Sequence, residues 1–104
     1  MDNATFDAIA DPTRRALLDI LRAEGPQRAG DLAQRFPQVS RPAVSKHLRL
    51  LRQARLVRVE KDGRARYYRL EARHLEQVAQ WVAQYEVYWQ ERLAALKEAA
   101  ERND

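Results

Sequence analysis

Hydrophobic and polar residues along this chain change period several times, and each change marks an element. Residues 3–10 predict a short helix with Phe6 and Ile9 on one side. Asp11-Pro12 predicts the start of a second helix. An aspartate at the N-cap accepts from an orphan backbone N–H, and a proline in the first helical position loses nothing by lacking one. Leu17, Leu18, Ile20 and Leu21 mark the buried side of residues 13–24, and Gly25-Pro26 ends the run. Arg14, Arg15 and Arg22 are expected to face solvent. A third, short helix is expected over residues 29–36, with Leu32, Ala33 and Phe36 pointing inward, and Pro37-Gln38-Val39 then reads as a turn.

The stretch 40–55 has the sharpest pattern and reads as one helix. Ser40 is its N-cap and Pro42 lies in its first turn. Val44, Leu48 and Leu51 fall at i, i+4 and i+7, which is one apolar stripe. Arg41, Ser45, Arg49 and Arg52 share the opposite face, with Lys46 beside them. Two short helices meeting at a tight turn, the second one basic, form a helix-turn-helix pattern. Such a helix suits the DNA major groove, because a guanidinium can pair with guanine O6 and N7 together and a serine can donate or accept. An ordinary amphipathic helix with a solvated basic face is the plainer alternative.

After Arg55 the period becomes two. Leu56 to Glu60 alternates, with Val57 and Val59 on one side, and residues 65–70 return with Tyr68 and Leu70 on the inner face. Between them, Asp62-Gly63 predicts a type I′ hairpin turn, which needs positive φ at both central residues. A hairpin after a reading helix is a wing. Lys61, Arg64 and Arg66 near its tip can reach phosphates or the minor groove, or simply face water. Residues 72–101 are helical again. Leu75, Val78, Val82, Tyr85, Trp89, Leu93 and Leu96 form its apolar stripe, widened sideways by Trp81 and Tyr88. So wide an apolar face needs a second surface, and dimerisation with the first helix taking part is the plainest one. A ligand pocket lined by the aromatics is the sharper alternative.

Charge strengthens the nucleic-acid reading. Residues 41–73 carry 11 basic side chains against 3 acidic ones, a net +8 within a chain whose total is +4. A basic middle between mildly acidic ends is the footprint of a polyanion's binding partner. At 104 residues the chain is one domain, and a core this small gains from a dimer interface. There is no cysteine, which removes disulfides, thiolate metal sites and cysteine nucleophiles together. No apolar run approaches the ~18 residues of a membrane helix, and the acidic, polar N-terminus is unlike a signal peptide. A cytoplasmic protein with no membrane partner is expected.

An enzyme is disfavoured. The only glycines are Gly25, Gly30 and Gly63, so no phosphate-binding loop is present. The two histidines lie far apart, and Asp11, which can share a helix face with Asp7, is explained as a cap. No catalytic residue is expected. A winged helix used for RNA or protein contact stays open as a rival.

Taken in order across residues 11–70, the chain resembles the ArsR-type winged helix-turn-helix repressors. The resemblance rests on Asp11-Pro12-Thr13-Arg14-Arg15, Leu32-Ala33, Ser40-Arg41-Pro42-Ala43-Val44-Ser45-Lys46-His47-Leu48, Leu56-Val57, Gly63-Arg64 and Tyr68-Arg69-Leu70. It implies a mainly α fold with a small β-hairpin and a long C-terminal dimerisation helix. It also implies a homodimer that binds a near-palindromic operator in double-stranded DNA and represses its own or a neighbouring operon. On that pattern residues 11–70 are the DNA-binding core, 40–55 the recognition helix and 56–70 the wing, while 1–10 and 72–101 dimerise. The implied readers of DNA are Arg41, Pro42, Ser45 and Lys46, flanked by Ser40, Ala43 and Arg49, with Lys61, Arg64 and Arg66 on the wing. Arg41 and Lys46 stand where many members carry uncharged or imidazole side chains, so the operator is its own. The expected dimer interface is Phe6, Ile9, Val78, Trp81, Val82, Tyr85, Tyr88, Trp89 and Leu93. Better-known members sense metals through cysteines on the third helix or His and carboxylate pairs on the last. Here the third helix has no cysteine, and His74, Glu76 and Glu86 lack a second histidine at ligand spacing. The chain is therefore similar to the cysteine-free, non-metal-sensing branch. No metal or cofactor is expected, and the inducer, if there is one, is not legible.

Overall fold

The computed structural model describes residues 3–102. Met1 and Asp2, expected in a dimerisation helix, lie outside the described residues, as do Asn103 and Asp104. The described chain runs α1 (Asn3–Ile9), α2 (Pro12–Glu24), α3 (Ala29–Gln34), α4 (Arg41–Gln53), β1 (Val57–Asp62), β2 (Ala65–Leu70) and α5 (Glu76–Arg102). A 3-10 turn at Ala72–Leu75 leads into α5, so the expected single helix over 72–101 has a tighter first turn.

The core sits where α1, α2, α3, α4 and β1 converge. Leu17, Leu32, Leu48, Leu51 and Leu56 are fully buried, with Leu18, Leu21, Val44 and Val57 beside them. Each such side chain removed from water contributes about 1.5–3 kcal/mol. These are the positions the helical and strand periods mark, and Ile9, Ile20, Phe36, Tyr68 and Leu70 close the cluster from its edges. The hairpin pairs antiparallel from Val57↔Leu70 to Asp62↔Ala65. A single bridge adds the loop before α3: Tyr68 N donates to Gln27 O at 2.7 Å and Gln27 N to Tyr68 O at 3.0 Å.

Local differences from expectation have physical causes. α3 stops at Gln34, two residues early, although Phe36 still packs inward. The reading helix is Arg41–Gln53, capped by Ser40 as expected, and it stops two residues before Arg55. It ends in a Schellman arrangement: Leu56 N donates to Leu51 O at 2.9 Å and Arg55 N to Arg52 O at 3.0 Å. That geometry holds Arg55 at φ 61, in a region glycine normally takes. The hairpin turn is not a type I′ turn on Asp62-Gly63. Asp62 and Ala65 already pair, so Gly63-Arg64 are central, and only Gly63 has positive φ (+62). A glycine in the first central place is the II′ pattern.

Arg14 and Arg15 do not simply face solvent. Both lie in the first turn of α2 and reach back to the carbonyls that end α1. Arg14 Nε donates to Ala8 O at 2.6 Å and its Nη2 to Asp7 O at 3.0 Å. Arg15 Nη1 donates to Ile9 O at 2.8 Å and Ala10 O at 3.1 Å. The last carbonyls of a helix have no intrahelical donor and carry negative dipole charge, so cations belong there. Asp11 completes the corner, its Oδ1 accepting from Thr13 N at 2.8 Å and Arg14 N at 3.1 Å. These two bonds, that of Arg14 foremost, hold its carboxyl below the usual carboxylate range.

Candidate nucleic-acid interface

α4 presents two unlike faces. Val44, Leu48 and Leu51 are buried against the core, while Arg41, Pro42, Ser45, Lys46, Arg49 and Arg52 are all exposed. Ala43 is half-buried. The Ser40 hydroxyl accepts from Ala43 N at 3.2 Å, which anchors the first turn and leaves its own O–H able to donate. Among the described residues, none of Arg41, Lys46, Arg49 or Arg52 is in an ion pair.

The wing shows the same division between neutralised and open cations. Near its base, Arg58 lies opposite Arg69. Like charges in that position repel. Glu60 resolves the conflict, accepting from Arg69 Nε at 2.9 Å and Arg58 Nη2 at 3.0 Å. The Arg69 bond, with Arg58 assisting, holds the Glu60 carboxyl below its usual range, so it stays ionised. Toward the tip, Lys61 lies opposite Arg66, with Arg64 in the turn beyond. All three are exposed, and among the described residues none is ion-paired. A pair of facing cations without a counter-ion suits a phosphate backbone.

The expected association face is open in the protomer. Trp81, Val82, Tyr85, Tyr88, Trp89 and Leu93 are 40–59% exposed, and Leu96 and Val87 are more so. Val87 lies off the stripe that periodicity marks. The four aromatics leave on the order of 400 Å² uncovered, taking ~200 Å² for each side chain. Phe6 is half-buried and its ring meets Trp81 edge-on at 5.9 Å, which places the α1 and α5 candidates on one surface. Ile9 instead packs on the core, and Val78 is half-buried. Trp81, Val82, Tyr85 and Trp89 line an open groove of about 430 Å³. Among the described residues, no cluster of three or more His, Cys, Asp or Glu side chains could hold a metal ion.

One group near the interface escaped sequence reasoning. His47 points from α4 toward the α1–α2 corner, its Nδ1 3.3 Å from Arg14 Nη1 and 4.0 Å from Asp11 Oδ1. Arg14 read as a solvent-facing cation, and its link to a residue 33 positions away lies beyond any local pattern.

Residues 9–60 match the profile of a helix-turn-helix domain family. The chain is 39% identical over 83 residues to the transcriptional repressor SdpR of Bacillus subtilis strain 168, covering 80% of this chain and 90% of that protein. It superposes on an ArsR-like transcriptional regulator from Rhodococcus sp. RHA1 with a TM-score of 0.72 and 40% identity, covering 95% and 89% of the two chains. A homodimeric winged helix-turn-helix DNA-binding domain from Mycobacterium bovis, described as a possible ArsR-family regulator, aligns with a TM-score of 0.62 at 25% identity, over 82% and 80%.

Proposed function

The chain belongs to the ArsR-type family of winged helix-turn-helix transcriptional regulators, and we propose that it works as a homodimer that binds a two-fold-related operator in double-stranded DNA and represses transcription from it. The observation that carries this is the exposed face of α4. Its cations are free of ion pairs while the opposite face is locked into the core. Arg41, Ser45 and Lys46, in the first turns, are assigned to base edges. Ser40, Pro42, Ala43 and Arg49 flank them, and Lys61, Arg64 and Arg66 are assigned to phosphate. Specificity then comes from α4, and the wing supplies sequence-independent affinity.

The open aromatic face of α5, with Phe6 of α1, is assigned to the partner protomer. The homodimeric state of the M. bovis neighbour supports that assignment. Residues 11–70 act as the DNA-binding core and the terminal helices as the dimerisation unit. No catalytic role is assigned, and none through a metal. The groove along α5 is where an inducer would reach the dimer face. No helix among the described residues is long and apolar enough to cross a membrane, in keeping with a regulator that works in the cytoplasm.

Selection of bound duplexes from a random pool tests the proposal. The expected result is two related half-sites spaced by about one helical turn or a multiple of it. Equal retention of random duplex, or of single-stranded RNA, would refute it.

A further inference from the structure

We propose that Arg14 and His47 are positioning residues for DNA reading, which hold α4 against the α1–α2 corner, and that proton uptake by the imidazole releases the hold. The proposal rests on the assignment of α4 to DNA.

The observation is a chain of contacts with one acceptor that can be lost. Arg14 grips the end of α1 through Asp7 O and Ala8 O, and reaches His47 Nδ1 with Nη1. An arginine only donates, so this contact is a hydrogen bond only while Nδ1 is the bare, accepting nitrogen. A protonated imidazole has no such nitrogen. It would face Arg14 as a like charge, and its new donor would turn toward Asp11 Oδ1, now 4.0 Å away and already accepting from two backbone N–H groups. Protonation therefore exchanges a direct bond to Arg14 at 3.3 Å for a longer contact with an oxygen already occupied by two backbone N–H groups, so the tether loosens. Asp11 and Arg14 are the charged groups that face the ring. Among the described residues, no charged side chain of α3 or β1 bonds to it.

The contact sits directly behind the reading surface. Lys46 and Ser45 immediately precede His47, and the ring is half-buried under α4 while they are exposed. α1, held by the same guanidinium, carries Phe6, which meets Trp81 of α5. Arg14 therefore joins the proposed dimer face to the reading helix through one side chain. Imidazole is the side chain whose ordinary charge change falls between about pH 5 and 8, and that range sets the window of the test.

The sign of the effect separates this role from simple charge. A histidine that only added positive charge near phosphate would tighten binding in acid. Release of α4 predicts the reverse. The test uses full-length protein and a labelled duplex of the sequence that wild type selects from a random pool, at fixed salt between pH 8 and 5.5. Wild-type affinity should fall about tenfold toward pH 5.5, the scale of one lost hydrogen bond to a charged group. Amide exchange in the first turns of α4, measured without DNA, should accelerate over the same range. His47→Ala should bind about tenfold more weakly at pH 8. His47→Asn, whose Oδ1 accepts without titrating, should restore the affinity and keep it flat with pH. Arg14→Ala removes a helix cap as well, so the two His47 variants decide the outcome. Tighter wild-type binding in acid, or a His47→Asn curve that tracks wild type, would overturn the proposal. If wild type selects no sequence, the DNA assignment fails instead, and unchanged exchange in α4 would overturn the proton-linked contact separately.

Discussion

Replacing Trp89 with alanine separates a folding role from an association role. Trp89 is 59% exposed in the protomer, and its ring meets that of its neighbour Tyr88 at 5.7 Å. The change should therefore leave the protomer folded, unlike truncation of a core leucine. About 150 Å² of the side chain is open to solvent, taking about 250 Å² for a whole tryptophan. At about 25 cal/mol per Å², covering that area contributes about 3–4 kcal/mol per protomer. Ordering costs and relaxation of the partner reduce the sum, so the dimer is expected to lose about 3 kcal/mol. That raises the dissociation constant about 100-fold or more. Sedimentation velocity over a concentration series reads the constant, and circular dichroism of the dilute sample reads the fold. A dissociation constant within about twofold of wild type would refute α5 as the interface, since ~3 kcal/mol is more than 100-fold. A protomer that loses its helical signal would refute the premise that Trp89 is idle in the single chain.

Arg41→Ala should cost about 1–3 kcal/mol and relax preference at one base of the half-site, read by quantitative binding to single-base variants of the selected duplex. An equal loss on random duplex would move Arg41 to the phosphate class. Arg66→Ala should weaken specific and random duplex alike and lower the salt slope by about 1 for each phosphate no longer neutralised, read from binding at several salt concentrations. Arg55→Gly should be more stable than Arg55→Ala by roughly 1 kcal/mol in denaturant melts, because only glycine adopts φ 61 without a Cβ conflict. Equal stability of the two would mean that the Schellman turn carries no strain.

Much of the fold was legible because its cues are local. The Asp11 cap, the i, i+4, i+7 stripe of α4 and the strand alternation each depend on residues a few positions apart. Their register survives into the structure almost intact. The candidate site was legible for the same reason: burying Val44, Leu48 and Leu51 leaves the cations of α4 outward wherever the helix packs. Element ends were less legible, because they depend on which carbonyl finds which donor. α3 stopped early, and the two central turn residues were shifted by one.

How the pieces are joined became visible only in three dimensions. Arg14 and Arg15 read as solvent-facing cations because side-chain patterning sees periodicity and not the open end of a neighbouring helix. His47 carried no role of its own in the linear pattern because its partners lie 33 and 36 positions earlier in the chain. Glu60 is one more acidic residue until the hairpin register puts it between two arginines. Linear order was enough for the elements, the buried stripe and the basic outer face of α4, since helical and strand geometry follow from local backbone and burial preferences. Folding settled which cations are neutralised and which stay open, because a charge finds its partner in space, at distances no linear spacing encodes.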